Sequence, residues 1–218
     1  MRQLIAIVLV LVACFGRAAA GELSYGAKVG MMAANITETP KEWEDETSYR
    51  IGFTGGVFLN YAINERFSIQ PELLYAARGV ESMLYDDLIS VELTATFEYA
   101  EMPVLAVYTF RGPKGCEPRV YAGPSFAYCL GSELEVSAVL FSAGVDFSSL
   151  THVTDFGIVA GAGLDYPLGG KLVLDARFSR GLTNVILSGD FEINGSTQTI
   201  SEDDFKNYGF AFMIGYEL

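Results

Sequence analysis

The chain has 218 residues, 50% of them hydrophobic, and a formal net charge of −13. Its length suits one domain rather than two, and the acidic excess argues against nucleic acid as a partner. After residue 12, no stretch approaches the roughly 20 consecutive apolar residues of a transmembrane helix. A helical membrane protein is therefore excluded.

The N-terminus has the pattern of a secretory signal. A basic residue, an apolar run and three consecutive alanines lie within residues 1–20, which predicts cleavage after Ala20 and a mature barrel domain over 21–218. The alternative is the sequence LVAC ending at Cys14. It resembles a lipoprotein cleavage box, and its use would leave that cysteine as a lipidated N-terminus.

Beyond the signal, apolar residues recur with a period of two, which is typical of β-strands, and almost nowhere with the period of a helix. In 67–79 every odd position is uncharged, whereas the even positions include Glu72 and Arg78. The same division recurs in 118–130, 156–166, 171–182 and 208–218. Eight strands are predicted near 23–34, 49–61, 66–79, 93–110, 118–130, 153–166, 171–184 and 205–218.

The predicted connections alternate between long and short. Transmembrane β-barrels have this rhythm, with short inner turns and long outer loops. The four long connections hold 17 acidic residues and one basic residue, Lys41. The short connections and their flanks instead carry the basic residues Arg66, Arg111, Lys114, Arg119 and Lys171. The two ends of the molecule are therefore expected to differ in charge, with acidic outer loops.

An all-β, eight-stranded, antiparallel up-and-down transmembrane barrel accounts best for these patterns. A soluble barrel, such as an exported lipocalin-like binding protein, needs a charged outer face. Here the apolar faces carry no charge and the opposite faces are rich in glycine, so the large side chains are expected to meet lipid. A secreted immunoglobulin-like sandwich usually has shorter strands. We therefore predict a monomer in the bacterial outer membrane, surrounded by its lipid.

Five segments of the chain are distinctive when taken together and in order. They are QPELLY at 70–75, YAEMPVLAVYTF at 99–110, VYAGPSFAY at 120–128, FGIVAGAGLDY at 156–166 and LVLDARFSRGLTNV at 172–185. Together they resemble the PorT-like family of small outer-membrane β-barrels, common in Bacteroidota. Val107 and Leu218 depart from a lysine and a terminal phenylalanine that are frequent in that family. The resemblance implies a barrel over roughly 22–218; some members are linked to protein secretion and most have no known role.

Charged side chains on the glycine-rich faces are predicted to point into the barrel. They are Lys28, Arg50, Glu72, Arg78, Glu101, Asp165, Asp175 and Arg177. An isolated charge in a narrow interior is costly, so opposite charges are expected to pair across strands. We predict a structural salt-bridge plug that fixes strand register, with a pore or gate as the alternative. The residues of this plug are Glu72, Glu101, Asp175 and Arg177.

No catalytic residue, metal site or cofactor is predicted. The single histidine, His152, is near Ser148, Ser149 and Asp155. Serine, histidine and aspartate are the components of a hydrolytic triad, but closeness along the chain does not establish their geometry. The acidic runs of the outer loops lack the ligand spacing of a calcium loop and are interpreted as solvated surface.

The sequence thus predicts a protein that is not an enzyme. Its expected role is structural, or depends on a surface or periplasmic protein partner, or belongs to envelope assembly, through the long acidic outer loops. Two other classes remain open, a narrow channel and an outer-leaflet lipid hydrolase. Side chains fill the interior of an eight-stranded barrel, so free diffusion of solutes through it is not expected.

Overall fold

The chain is almost entirely β-structure in the computed structural model. The structure describes residues 22–37, 47–86, 89–138, 141–146, 154–183, 189–193, 196–200 and 206–218. The strands are β1 (Leu23–Thr37), β2 (Thr47–Ala62), β3 (Phe67–Asp86), β4 (Ile89–Thr109), β5 (Glu117–Ala138), β6 (Phe141–Asp146), β7 (Thr154–Pro167), β8 (Lys171–Gly181), β9 (Gly189–Ile193), β10 (Ser196–Ile200) and β11 (Lys206–Glu217). A short 3-10 turn occupies Pro113–Gly115. No helix in these ranges has the length and apolar character of a membrane span.

Eight of the strands close into an antiparallel barrel. Around the wall they follow the order β1, β2, β3, β4, β5, β7, β8 and β11. The last strand pairs with the first, so that Gly26 lies opposite Glu217 and Thr37 opposite Lys206. Closure leaves no unpaired strand edge along the wall, as a lipid-exposed sheet requires. The eight-stranded antiparallel barrel predicted from the sequence is confirmed.

Strands β1 to β5 extend further at the long-connection end than the sequence pattern predicted, whereas β8 ends at Gly181 and not at the predicted 184. β3 and β4 pair as far as Asp86 and Ile89, and the predicted ends at 79 and 93 are therefore wrong. β5 continues to Ala138 and pairs with β6, while β9 and β10 form a separate two-stranded sheet. The ladder continues beyond the predicted ends because backbone pairing across a hairpin satisfies amide groups whatever the side chains are.

The connections at the opposite end are short turns with defined chemistry. The Asn64 side-chain oxygen accepts hydrogen bonds from the backbone N–H groups of Arg66 (2.9 Å) and Phe67 (3.0 Å), which fixes the β2–β3 turn. In the β7–β8 turn, Gly169 has a φ of 80°, a conformation that glycine adopts without strain. The Tyr216 hydroxyl of β11 accepts from the Gly170 N–H (2.9 Å) and donates to the Leu168 carbonyl (2.8 Å).

Large apolar side chains cover the outside of the barrel. Phe212 is 71% exposed, Ile51 62% and Met31 61%, values that would be costly in water over so wide a surface. Aromatic contacts lie near both ends of this surface. Phe67 and Tyr108 are 4.8 Å apart near the short turns, and Tyr49 and Tyr208 are 5.8 Å apart near the long connections. Apolar walls between aromatic girdles are typical of barrels in a bilayer.

Candidate functional site

The interior contains a network of buried charges centred on Glu72 of β3. This carboxylate receives the Lys28 ammonium of β1 at 2.7 Å and the Arg177 guanidinium of β8 at 2.9 Å. Gln70, two residues earlier on the same face of β3, donates to it at 2.6 Å. All four side chains are buried. Cations from two strands therefore meet across the lumen on one carboxylate of a third strand.

Asp175 of β8 is the second acceptor of the network. Lys28 lies 3.1 Å from its carboxylate, and Arg119 of β5 lies 3.3 Å away. The Tyr121 hydroxyl donates to the same group. Arg177, on the same face of β8, is 3.5 Å from it. Because Lys28 contacts both carboxylates, the two acceptors belong to one connected cluster.

Arg119 extends the cluster toward the short-turn end of the barrel. Its Nε atom is 3.0 Å from an Asp165 oxygen of β7, and its Nη1 donates to the Gln70 side chain at 3.1 Å. The central network then contains three cations and three carboxylates. They are Lys28, Arg119, Arg177, Glu72, Asp165 and Asp175. The network is electrically balanced, which is the condition for keeping charges away from water.

A second charged group lies nearer the long connections. Glu101 of β4 is paired with Arg78 of β3, and Asp155 of β7 is 3.8 Å from the same guanidinium. The Asn207 amide donates to the Tyr99 hydroxyl at 3.2 Å. Buried apolar side chains lie between the two groups along their strands: Leu74 and Ala76 separate Glu72 from Arg78 on β3, and Val159 lies between Asp155 and Asp165 on β7.

The structure brings together three of the four residues of the predicted plug. Glu72, Asp175 and Arg177 belong to the central network, whereas Glu101 belongs to the second group. Glu101 lies at a different height along the barrel from the central network, because it is opposite Leu74, two positions farther along β3 than Glu72. Arg50 is half-buried. The other charges predicted to point inward, Lys28, Arg78 and Asp165, are buried in the two groups.

Sequence reasoning left three buried charges out of its inward set. Arg119 was assigned to the flank of a short connection, Asp155 was considered beside His152, and Glu217 was not included. Strand alternation gives the signal for each of them. Glu217, for example, has the same phase as the inward Met213, and it accepts a hydrogen bond from the Ser24 hydroxyl at 2.7 Å.

Gly161 on β7 gives a test of how tightly the network is packed. A Cβ at this position would overlap the Tyr121 hydroxyl and lie 2.6 Å from the Ala176 carbonyl oxygen. We expect Gly161→Ala to displace Tyr121 from Asp175 and to lower the free energy of unfolding by about 1–3 kcal/mol, measured by urea titration in lipid vesicles. Gly131→Ala is the control, since its nearest neighbour would be 4.0 Å away. Equal stability of the two variants would contradict this packing.

The described part of the chain shows no grouping of three histidine, cysteine or acidic side chains that would hold a metal. Asp155 faces the lumen beside Arg78. The other members of the possible hydrolytic set, Ser148, Ser149 and His152, are outside the described residues, as are the acidic runs 44–46 and 202–204.

A comparison with known protein families shows to which family the chain belongs. The family described as outer membrane protein beta-barrel domain matches residues 16–187. The chain belongs to this family. It is a protein of the bacterial outer membrane, as the sequence predicted. A search of curated proteins gives no match.

Solved structures of outer-membrane barrels resemble this member of the family in shape at low identity. Neisserial surface protein A is 12% identical with a TM-score of 0.46, over 89% of this chain and 98% of its own. OprG of Pseudomonas aeruginosa is 10% identical with a TM-score of 0.49, over 91% and 97%. Ail, the attachment invasion locus protein of Yersinia pestis, is 12% identical with a TM-score of 0.41, over 90% and 99%.

Proposed function

We propose that this barrel is a non-enzymatic surface-interaction protein, a monomer that binds a protein partner through its outer hairpins. The observation that carries the proposal is the length of β3 and β4, with 20 and 21 residues. About 9–11 tilted residues are enough for a strand to cross a bilayer. Half of this hairpin is therefore available beyond the membrane for contact with a partner.

The charge of the outer connections indicates the kind of partner. Their 17 acidic residues against Lys41 alone favour a partner with a basic surface, because complementary charge speeds encounter and excludes acidic competitors. On this proposal the chain is also a PorT-like barrel, a finer assignment supported by the five quoted segments. An envelope-assembly role would use the same hairpins.

The filled interior favours surface binding over a narrow channel. The central network joins β1, β3, β5, β7 and β8 across the lumen, and an eight-stranded barrel leaves little space beyond its own side chains. Passage of a solute would require the separation of several buried ion pairs. We therefore assign the network a structural role.

Shortening the long hairpin tests the proposal. Ser82 and Leu93 lie opposite each other, so replacing residues 83–92 by Asn-Gly closes the hairpin with a favoured two-residue turn. We expect the barrel to fold, shown by its heat-dependent mobility on SDS gels. Partner capture on intact cells, measured by crosslinking and mass spectrometry, is expected to fall at least tenfold.

A matched control changes the opposite end of the molecule. Arg111→Gln alters an exposed residue of the β4–β5 connection, where it pairs with Glu65, and is expected to leave capture unchanged. Equal capture by the shortened variant and the wild type would refute the role of this hairpin.

A further inference from the structure

Arg180 is a charged side chain on the lipid-facing side of β8, so the expectation that the apolar faces carry no charge is wrong on this strand. It is exposed, whereas its neighbours Ser179 and Gly181 are buried and face the lumen. In the described part of the chain no carboxylate pairs with it. Its cross-strand neighbours are Ile158 of β7 and Tyr208 of β11. A guanidinium on a membrane wall that has no carboxylate partner among the described residues is suited to an anionic group of the membrane.

The level of Arg180 is that of lipid headgroups. Tyr208, directly opposite, is half-buried and contacts Tyr49 in an edge-to-face pair. Aromatic girdles of this kind mark the membrane–water interface. The long connections lie at this end of the barrel, and in such barrels these face the outside of the cell. Arg180 therefore lies at the headgroups of the outer leaflet.

A groove lies below Arg180 on the same side of the wall. It has a volume of about 710 Å³ and crosses β1, β11, β8 and β7. Its floor contains Ala162 and Ala176, which lie opposite each other. Larger apolar side chains border it, among them Met31, Phe212 and Leu174. Because two small residues lie among large ones, the wall has a depression here.

Arg180 and the groove are spaced as the two ends of a lipid would require. Ala176 is four positions before Arg180 on β8, which is about 13 Å along the strand at roughly 3.3 Å per residue and about 9–11 Å of depth at the strand tilt of roughly 35–45° in such barrels. The headgroup layer of each leaflet is only about 5–8 Å thick, so the groove lies at the level of acyl chains. Phe178 and Phe210, whose ring centroids are 5.0 Å apart, cover the wall between them.

We propose that this side of the barrel is a binding site for one phosphorylated lipid of the outer leaflet. Arg180 binds the phosphate, for which the guanidinium supplies two parallel donors, and one acyl chain occupies the groove over Ala162 and Ala176. The outward charge on another part of the wall has the opposite sign. On β4 the outward Glu98 accepts a hydrogen bond from Tyr75 at 2.8 Å, and a carboxylate there would repel a phosphate.

The test uses the full-length protein, as purified from the membrane, in phosphatidylcholine nanodiscs that contain a minor fraction of diphosphoryl lipid A. Native mass spectrometry counts the lipid A molecules that stay bound. Arg180→Gln removes the phosphate donor, and Ala176→Phe fills the groove. Arg66→Gln, an exposed basic residue of the β2–β3 turn, is the control. Gel mobility before and after heating verifies that each variant is folded.

One lipid A molecule is expected to stay bound to the wild type and to the Arg66→Gln control. Each of the other two variants is expected to lose at least fivefold in occupancy. Lipid A from which the phosphates have been removed is expected to bind no better to the wild type than to Arg180→Gln. Retention of lipid by Arg180→Gln or by Ala176→Phe would overturn the proposal, and so would equal binding of the dephosphorylated lipid.

Discussion

Glu72→Ala is expected to destabilise the barrel more than any other single change considered. Removal of this carboxylate leaves Lys28 and Arg177 buried with fewer counter-charges, since both contact it within 3 Å. Breaking a buried ion pair by removing one partner costs about 3–5 kcal/mol. We expect a loss of that size in the free energy of unfolding, measured by urea titration of the protein in lipid vesicles.

An exposed ion pair provides the matched control for Glu72→Ala. Glu65 and Arg111 pair at the short-turn end, with side chains 79% and 71% exposed. Glu65→Ala is expected to change stability by less than about 1 kcal/mol. Glu72→Gln keeps the shape and hydrogen bonds but not the charge, and is expected to fall between the two. If Glu72→Ala were as stable as Glu65→Ala, the buried network would not stabilise the fold.

Phe212→Arg is the second change with a large expected effect. Phe212 is 71% exposed and lies near the middle of β11, opposite Met31 and Ala176. A charged side chain on the lipid face of a barrel costs about 2–4 kcal/mol at the bilayer midplane. We expect this loss in the free energy of folding into phosphatidylcholine vesicles.

The position of the charge, not its presence alone, should determine the cost of the substitution. Leu168 is 59% exposed but lies in the β7–β8 turn at the end of the barrel. Near the interface the same substitution costs about 0–1 kcal/mol, so Leu168→Arg is expected to fold almost as well as the wild type. Equal losses in the two variants would mean that Phe212 does not face hydrocarbon.

Much of the barrel could be predicted from the sequence because a strand in a membrane wall obeys one strong rule. Charge is costly in the hydrocarbon and a narrow lumen has little space for large side chains, so apolar and small or polar residues alternate along each strand within the bilayer. The inward phase of Lys28, Glu72 and Asp175 follows from that alternation. The register between strands does not follow from the alternation. It is fixed by the hydrogen bonds between strands and by side-chain packing in the lumen, which exist only once the barrel is closed.

Register is the reason why the composition of the charge network could not be predicted fully. Glu101 has the inward phase that the sequence indicates, yet its level along the barrel is fixed by its position opposite Leu74. That level is closer to Arg78 than to Arg177. The strand ends could not be predicted either. The parts of the hairpins above the membrane do not face lipid, so their sequences lack the alternation of apolar and polar residues and resemble those of loops.

The connected ion pairs across the lumen have a consequence for the whole cell. A bacterium depends on its outer membrane as a permeability barrier against small toxic compounds, and every open pore weakens it. A barrel whose cross-section is occupied by its own side chains adds no such leak. On the structural role proposed for the network, additional copies of the barrel are expected to leave the permeability of the envelope to small solutes unchanged.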